Sequence, residues 1–383
     1  MNILFCYNKP ISTKQGGVAA VSKTLIQGFT KHGHVCYAVS ALNIENDDIN
    51  NQYYLPISTT NVDNSENRQW FQQFVKEKQI DIVINQNALQ PSIPEWAIFW
   101  SKGFPVKIIT VYHNCLFPMF SCKNKRLNSN IIVKTFHLKP VLDTLWHHLF
   151  RLKYRRKFRR SIKLSDKVVM LSQKYFPELS WFSGLNINDH FQSIANPALD
   201  RFNVDISELQ KEREILYVGR LEPQKRIDYL LEVWKKVVML HKDWHLTIVG
   251  DGTLKQALML QVEAERIDKV SFEGFKDPLE YYKRASIFCM TSEFEGFPGV
   301  LTESMSCGCV PIIFNSYACA SDIVEDERNG FLVTPFDINI FAQKLERLMD
   351  NNGKLVEMAY AAKEKSLNYT LDNIINQWET IFK

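Results

Sequence analysis

The chain has 383 residues, 45% of them hydrophobic and 23% charged, with a net charge of +4. That length exceeds what one hydrophobic core usually serves, so two domains of about 200 residues each are expected, with ample apolar material for both. No apolar run approaches a membrane span, and no CxxC pair suggests a metal site or a redox dithiol.

The opening MNILFCYN reads as a strand without a signal-peptide n-region, so a cytosolic chain is expected. The eight cysteines read as reduced, buried thiols, several of them inside apolar runs, and Cys307 and Cys309 are too close and too isolated to hold a metal.

Ile3 to Tyr7 is a first buried strand, Val18 to Lys31 an amphipathic helix and His34 to Ser40 a second strand. This βαβ opening lacks G-x-G-x-x-G and is therefore no dinucleotide fingerprint. Its connecting stretch KQGGV (Lys14 to Val18) offers Gly16 and Gly17, where backbone amides can approach a ligand closely. A helix near Arg68 to Lys78 precedes the strand Ile80 to Ile84, which runs out into Gln86 and Asn87. Val106 to Val111 follows and ends in Tyr112-His113-Asn114. A histidine just past a parallel strand stands at the sheet edge where ligands bind, although a histidine considered alone is more often structural.

From Arg151 to Lys163 the chain carries eight Lys or Arg in thirteen residues and no acid. Leu152, Phe158 and Ile162 interleave at a loose helical period, and Trp146, Leu149 and Phe150 extend the pattern backward. A basic amphipathic helix is expected, either a solvated face or a surface for anionic lipid headgroups. Nucleic acid is not expected, since no aromatic-rich RNA motif or zinc pattern accompanies the charge. Lys167 to Ser172 is a further strand, Ser193 to Pro197 closes the first domain, and Ala198 to Lys211 reads as a linker.

The α/β pattern restarts with Ile215 to Val218. The loop GRLEPQKR (Gly219 to Arg226) leads into the helix Ile227 to Val238, and Arg220 and Lys225 beside that helix can clamp a diphosphate. His245 to Val249 and Val270 to Gly274 are strands, the latter ending at Phe275. Ser286 to Pro311, SIFCMTSEFEGFPGVLTESMSCGCVP, opens with the apolar run Ile287 to Met290, passes through a loop from Thr291 to Phe297, and places Pro298 in the first turn of a helix. A strand, a loop and a helix start make an anion site, and Glu295 and Glu303 frame it. Two acids would repel a bare phosphate. They suit a ligand that also presents hydroxyls, and phosphate plus sugar describes a nucleotide sugar. Leu371, Ile374, Ile375, Trp378 and Ile381 give the final segment helical spacing.

EFEGFPGVLTESMSCGCVPII resembles the Glu-x7-Glu signature of retaining glycosyltransferases of the two-Rossmann (GT-B) architecture, family 4, also called glycosyl transferases group 1. The resemblance implies an α/β fold with two Rossmann-like domains facing across a deep cleft: an acceptor-side domain over 1–198, a donor domain over 199–365, and a terminal helix, about 366–383, returning to the first. It implies a sugar transfer in which Arg220 and Lys225 hold the donor diphosphate, Glu295 the sugar and Glu303 the ribose. Phe297, Gly299 and Val300 complete the donor site, Gly16 and Gly17 meet the diphosphate, Phe275 meets the base and His113 orients donor or acceptor. The implied partners are a UDP- or GDP-sugar and a glycan or lipid-linked acceptor, with peripheral contact to anionic membrane through 151–163. No cofactor and no metal are implied, and the chain contains no Asp-x-Asp. Pro298-Gly299 departs from the usual glycine followed by a larger apolar residue, and SYACASD after the Ile312 strand departs from the usual acidic or glycine-rich stretch, so donor identity stays open. An epimerase or phosphorylase of the same fold, or a non-catalytic binding protein, remain alternatives.

Overall fold

We describe the protein from a computed structural model, over residues 1–12, 16–43, 49–58, 62–86, 96–119 and 139–383. Lys14, Asn87 and Cys122 of the sequence reading lie outside these described residues. The chain divides into two compact units, Met1–Ala195 with Ile375–Lys383, and Asn196–Ile374.

In the first unit, β1 (Asn2–Tyr7), β2 (Val35–Ser40), β3 (Gln52–Tyr54), β4 (Ile82–Asn85), β5 (Lys107–Tyr112), β6 (Lys167–Met170) and β7 (Phe191–Ser193) form one sheet in the order β3-β2-β1-β4-β5-β6-β7. Every pair is parallel. Continuous apolar runs such as Ile3–Cys6 are wholly buried, as expected of parallel strands covered on both faces. The helix expected from Arg68 instead starts at Ser65, because the Asn64 side chain accepts from the Asn67 amide and caps it.

In the second unit, β8 (Glu212–Val218), β9 (His245–Val249), β10 (Val270–Gly274), β11 (Ala285–Met290), β12 (Val310–Phe314) and β13 (Phe331–Val333) are parallel in the order β10-β9-β8-β11-β12-β13. Trp234 and Val237 of helix Ile227–Val237 and Phe341 and Leu345 of helix Ile338–Asp350 fill its core. The stretch Ala198–Lys211 has no apolar period yet packs into this unit. Phe202 is buried edge-to-face on Tyr282, and Lys211 Nζ donates to the carbonyls of Tyr282, Ala285 and Cys307 at 2.9, 2.8 and 2.6 Å. A single ammonium thereby satisfies three carbonyls, a service that sequence periodicity cannot register.

Both units are Rossmann-like, and in each the strand order reverses direction, between β1 and β4 and between β8 and β11. Ligands of such sheets bind beyond the carboxyl ends at that point.

The last helix, Leu371–Phe382, follows a 3₁₀ turn at Leu367–Tyr369. From Ile375 onward it belongs to the first unit, where Trp378 and Phe382 lie 6.2 and 5.2 Å from the Phe29 ring. The Glu379 carboxylate is hydrogen-bonded to His32 Nδ1 and His34 Nε2 at 3.1 and 3.0 Å. The seven described cysteines are buried and free. Trp378→Ala removes a buried indole from this packing and should cost about 3–5 kcal/mol of stability, read from urea denaturation of the full chain.

Candidate functional site

The ends of β8, β9 and β10 are drawn together by glycine. Gly219 N donates to Val249 O and Gly250 N to Gly274 O, at 3.0 and 2.8 Å. A Cβ on Gly250, at φ +148°, would stand 1.8 Å from the Gly219 carbonyl oxygen, so no side chain fits. The loop after β8 can then lie against the loop after β11. Gln224 Nε2 donates to Phe294 O at 2.6 Å, and the Glu293 amide donates to Gln224 O at 2.8 Å. Thr291 Oγ1 donates to the carbonyls of Lys225 and Arg226 at 3.1 and 2.8 Å.

These stitches bring Lys225 Nζ to 2.6 Å from Glu295 Oε1, with both side chains largely buried. An ammonium carries three donors, so Lys225 can hold Glu295 and still present protons to an anion. Arg220 is exposed at the start of the same loop, and its carbonyl accepts from the Tyr217 hydroxyl at 3.1 Å. Behind Glu295, the Tyr317 hydroxyl and Ser292 Oγ are buried without a hydrogen-bond partner among the described residues. Burial, Cys319 and Glu295 together push the Tyr317 hydroxyl well above the ordinary tyrosine range.

The helix expected to take Pro298 into its first turn runs from Gly299 to Ser306, with Pro298 as its N-cap at φ −79°. A proline there withholds a donor that the helix would leave unpaired, while the amides of Gly299 and Val300 open the helix without internal acceptors. A Cβ on Gly299 would lie 3.7 Å from Glu303 Oε1, so the carboxylate stands alongside this first turn. Tyr282 OH donates to Glu303 Oε2 at 3.2 Å. Burial nonetheless dominates and raises the Glu303 carboxyl from 4.5 to about 7, against the opposing pull of the Tyr282 hydrogen bond and Arg201. A hydroxyl acceptor beside two amide donors suits a ligand that offers both hydroxyls and phosphate oxygens. Phe297 turns inward, its ring 5.4 Å from that of Tyr369, and its carbonyl accepts from Asn196 Nδ2 at 3.5 Å. Phe275 stands 89% exposed at the end of β10.

In the first unit, Gly16 caps helix Gly17–Lys31 at φ +99°, a backbone region that favours glycine, and a Cβ on Gly16 or Gly17 would meet nothing within 4 Å. His113 and Gln86 follow the neighbouring strands β5 and β4, and His113 Nε2 is hydrogen-bonded to Gln86 Oε1. Since that oxygen can only accept, Nε2 carries the proton and Nδ1 remains an acceptor. Burial lowers the His113 pKa from 6.5 to about 4, so the ring is neutral near pH 7. The Gln86 amide nitrogen is buried without a partner among the described residues.

Glu295 and Lys225 are thus brought together, Arg220 lies on their loop, and Glu303 shares its turn with Gly299 and Val300. Gly16, Gly17 and His113 belong to the other unit. Sequence reading passed over Gln224, Tyr282 and Tyr317. Gln224 sits inside GRLEPQKR and could have been weighed with its neighbours, whereas nothing local separates buried Tyr282 from the adjacent Tyr281.

Two stability measurements check this geometry. Lys225→Met leaves Glu295 without its cation and should cost about 2 kcal/mol, most of it recovered in Lys225→Met/Glu295→Gln, by urea denaturation. Glu303→Gln abolishes a carboxyl whose folded pKa exceeds its unfolded value. Wild-type stability is therefore lost relative to the variant as pH rises from 4.5 to about 7, and the gap should be constant at higher pH in thermal unfolding.

Comparison with known proteins finds similarity over part of the chain. An uncharacterized glycosyltransferase of Haemophilus influenzae is 31% identical over 223 residues, 58% of this chain and 62% of that protein. The amylovoran biosynthesis glycosyltransferase AmsD of Erwinia amylovora is 29% identical over 225 residues, 57% of this chain and 62% of that one. The chain thus spans about three-fifths of the length of these curated relatives. The crystal structure of the pneumococcal O-GlcNAc transferase GtfA, in complex with UDP and GlcNAc, superposes with a TM-score of 0.74 at 13% identity, covering 100% of this chain and 98% of that one. That likeness is one of fold. Residues 201–365 match the family model of the glycosyl transferases group 1, and this is the stretch that carries Arg220, Lys225, Glu295 and Glu303.

Proposed function

We propose that the chain is a retaining glycosyltransferase that moves a sugar from a UDP- or GDP-sugar to a glycan or lipid-linked acceptor, in cell-surface polysaccharide or glycolipid synthesis, with no divalent ion at the diphosphate. The observation that carries this reading is the joining of the loops after β8 and β11 through Lys225 and Glu295, at the strand reversal and next to a helix start. The match of 201–365 to a glycosyltransferase family and the similarity to AmsD support it.

On this reading 199–365 binds the donor, 1–198 serves the acceptor, and the terminal helix, about 366–383, belongs with the first domain. The bond from the anomeric carbon to the diphosphate breaks, the acceptor oxygen bonds to the same face of the sugar, and the acceptor proton passes to the departing phosphate oxygen. Charge growing on that phosphate is met by Arg220, Lys225 and the amides of Gly299 and Val300, a preorganised field in a partly buried site. Glu295, neutralised by Lys225, accepts from sugar hydroxyls, and Glu303 accepts from the vicinal hydroxyls of the ribose. Gly16 and Gly17 offer amides to the diphosphate, Phe275 a face to the base, and Phe297 shapes the loop. Neutral His113 orients donor or acceptor by hydrogen bonding. The reaction takes place on the cytoplasmic side, with the basic stretch 151–163 against anionic membrane.

The test is a transfer assay with a panel of nucleotide sugars, chosen by thermal shift, with and without acceptor. Arg220→Ala should lower turnover by about 10²-fold and Arg220→Ala/Lys225→Ala further, while a chelator leaves the wild type unchanged. Sugar–nucleotide affinity should rise as pH passes through about 7, where Glu303 ionises, and lose that rise in Glu303→Gln. Unaltered turnover in Glu303→Ala and in the Arg220/Lys225 double variant would remove the assignment.

A further inference from the structure

Gln86 joins the strands that meet where the first sheet reverses. Its backbone amide donates to Cys6 O of β1 at 2.9 Å, and its side chain reaches across to His113, just past β5. Gln86 is 3% and His113 9% exposed, so the imidazole is the outer member of the pair. Each side chain has the other as its one hydrogen-bond partner among the described residues. Burial alone lowers the His113 pKa, with no contribution from a charged group. The neighbouring titratable side chains are those of Cys6, Tyr112 and Cys115, and all three are buried. Burial raises the Cys6 thiol well above its ordinary range. The pair therefore occupies a neutral edge of low dielectric.

A glutamine amide presents an acceptor at one end and donors at the other, with nearly the same shape. In the observed arrangement Oε1 accepts from His113 Nε2–H, which leaves His113 Nδ1 an acceptor and the Gln86 Nε2 protons unsatisfied. A half-turn about the terminal torsion, which is broad and two-fold, puts the amide nitrogen against the ring instead. Gln86 Nε2 then donates to His113 Nε2, the ring proton passes to Nδ1 by exchange with water, and Oε1 becomes the unsatisfied atom. Each arrangement keeps one hydrogen bond and leaves one end of the amide unpaired, so the surroundings lock neither. A carboxylate in place of Gln86 would fix the first arrangement, and a cationic side chain the second. A sugar hydroxyl both donates and accepts. His113 Nδ1 can accept from it in one arrangement and donate to it in the other, and no charge is created in either. Phosphate oxygens only accept and carry charge, so a neutral edge serves them poorly.

We infer that Gln86 is the positioning residue of His113, and that reversal of its amide lets a neutral His113 meet a ligand hydroxyl as acceptor or as donor. This rests on the role proposed above for His113, and it narrows the group contacted there to a hydroxyl rather than a phosphate oxygen.

The full chain is labelled with isotopic histidine, and the His113 ring signals are assigned in nitrogen NMR spectra by their loss in His113→Asn. In the wild type both ring nitrogens should resonate between the protonated and unprotonated limits of a neutral imidazole, averaged over two tautomers. Gln86→Glu, which can only accept, should draw His113 into the Nε2–H tautomer and raise its pKa well above about 4. The remaining histidine signals should keep their positions, which shows that the variant is folded. In the transfer assay Gln86→Met should lower turnover by about tenfold at every pH, the worth of one hydrogen bond. Gln86→Glu should instead lose turnover as pH falls through the raised His113 pKa, because an imidazolium has no acceptor, and regain it above. A wild-type ring held in one tautomer would overturn the reversal, whether or not the variants fold. A His113 tautomer and pKa unaltered in Gln86→Glu would overturn the pairing, and undiminished turnover in Gln86→Met the positioning role. The spectra need no substrate, so they judge the pair even if no nucleotide sugar supports transfer.

Discussion

Lys225 and Glu295 stand 70 residues apart in the chain and 2.6 Å apart in space. A largely buried carboxylate without a cation is costly, so this pair fixes the distance between the loops that follow β8 and β11. The contact depends on backbone detail further down, since Gly250 must lack a side chain for the strand ends to close and Gln224 and Thr291 must tie loop to loop. A ligand that meets Lys225 meets a cation already aimed, with two of its three protons uncommitted to Glu295.

Glu303 answers to a different balance. It has one hydroxyl partner, Tyr282, and otherwise faces burial, so its proton is held to about pH 7. Tyr282 is in turn fixed by Phe202 from the stretch that joins the units in sequence. The segment Ala198–Lys211 therefore supports the carboxylate through a buried ring and closes the ends of helices Leu279–Arg284 and Gly299–Ser306 through Lys211. In the first unit the comparable arrangement is neutral, a histidine kept unprotonated by burial and ordered by one glutamine.

Helix Lys139–Leu164 shows how burial sorts a mixed sequence. Phe158 and Ile162 anchor it to the core, and once they are inside, helical geometry sends Leu149, Leu152, Arg156 and Arg159 outward together. A polarity that changes along the axis does not show as a moment around it, so the charge run is visible in the sequence and the apolar line is not.

Long apolar runs such as Ile3–Cys6 and Ile287–Met290 had strands as their natural outcome, and the alternation of strands with helices left a parallel α/β arrangement as the consistent solution. The positions of Arg220, Lys225, Glu295 and Glu303 near strand ends and a helix start were likewise legible, because the order of strand, loop and helix is local. Local pattern did not reveal that Lys225 neutralises Glu295, that Tyr282 rather than Tyr281 supports Glu303, or that Phe297 turns inward. Nor did it place Pro298 before the helix or pack Phe202 and Lys211 into the second unit. Those outcomes depend on which buried group finds a partner, and burial belongs to the folded whole, where residues 70 or more apart share one low-dielectric space.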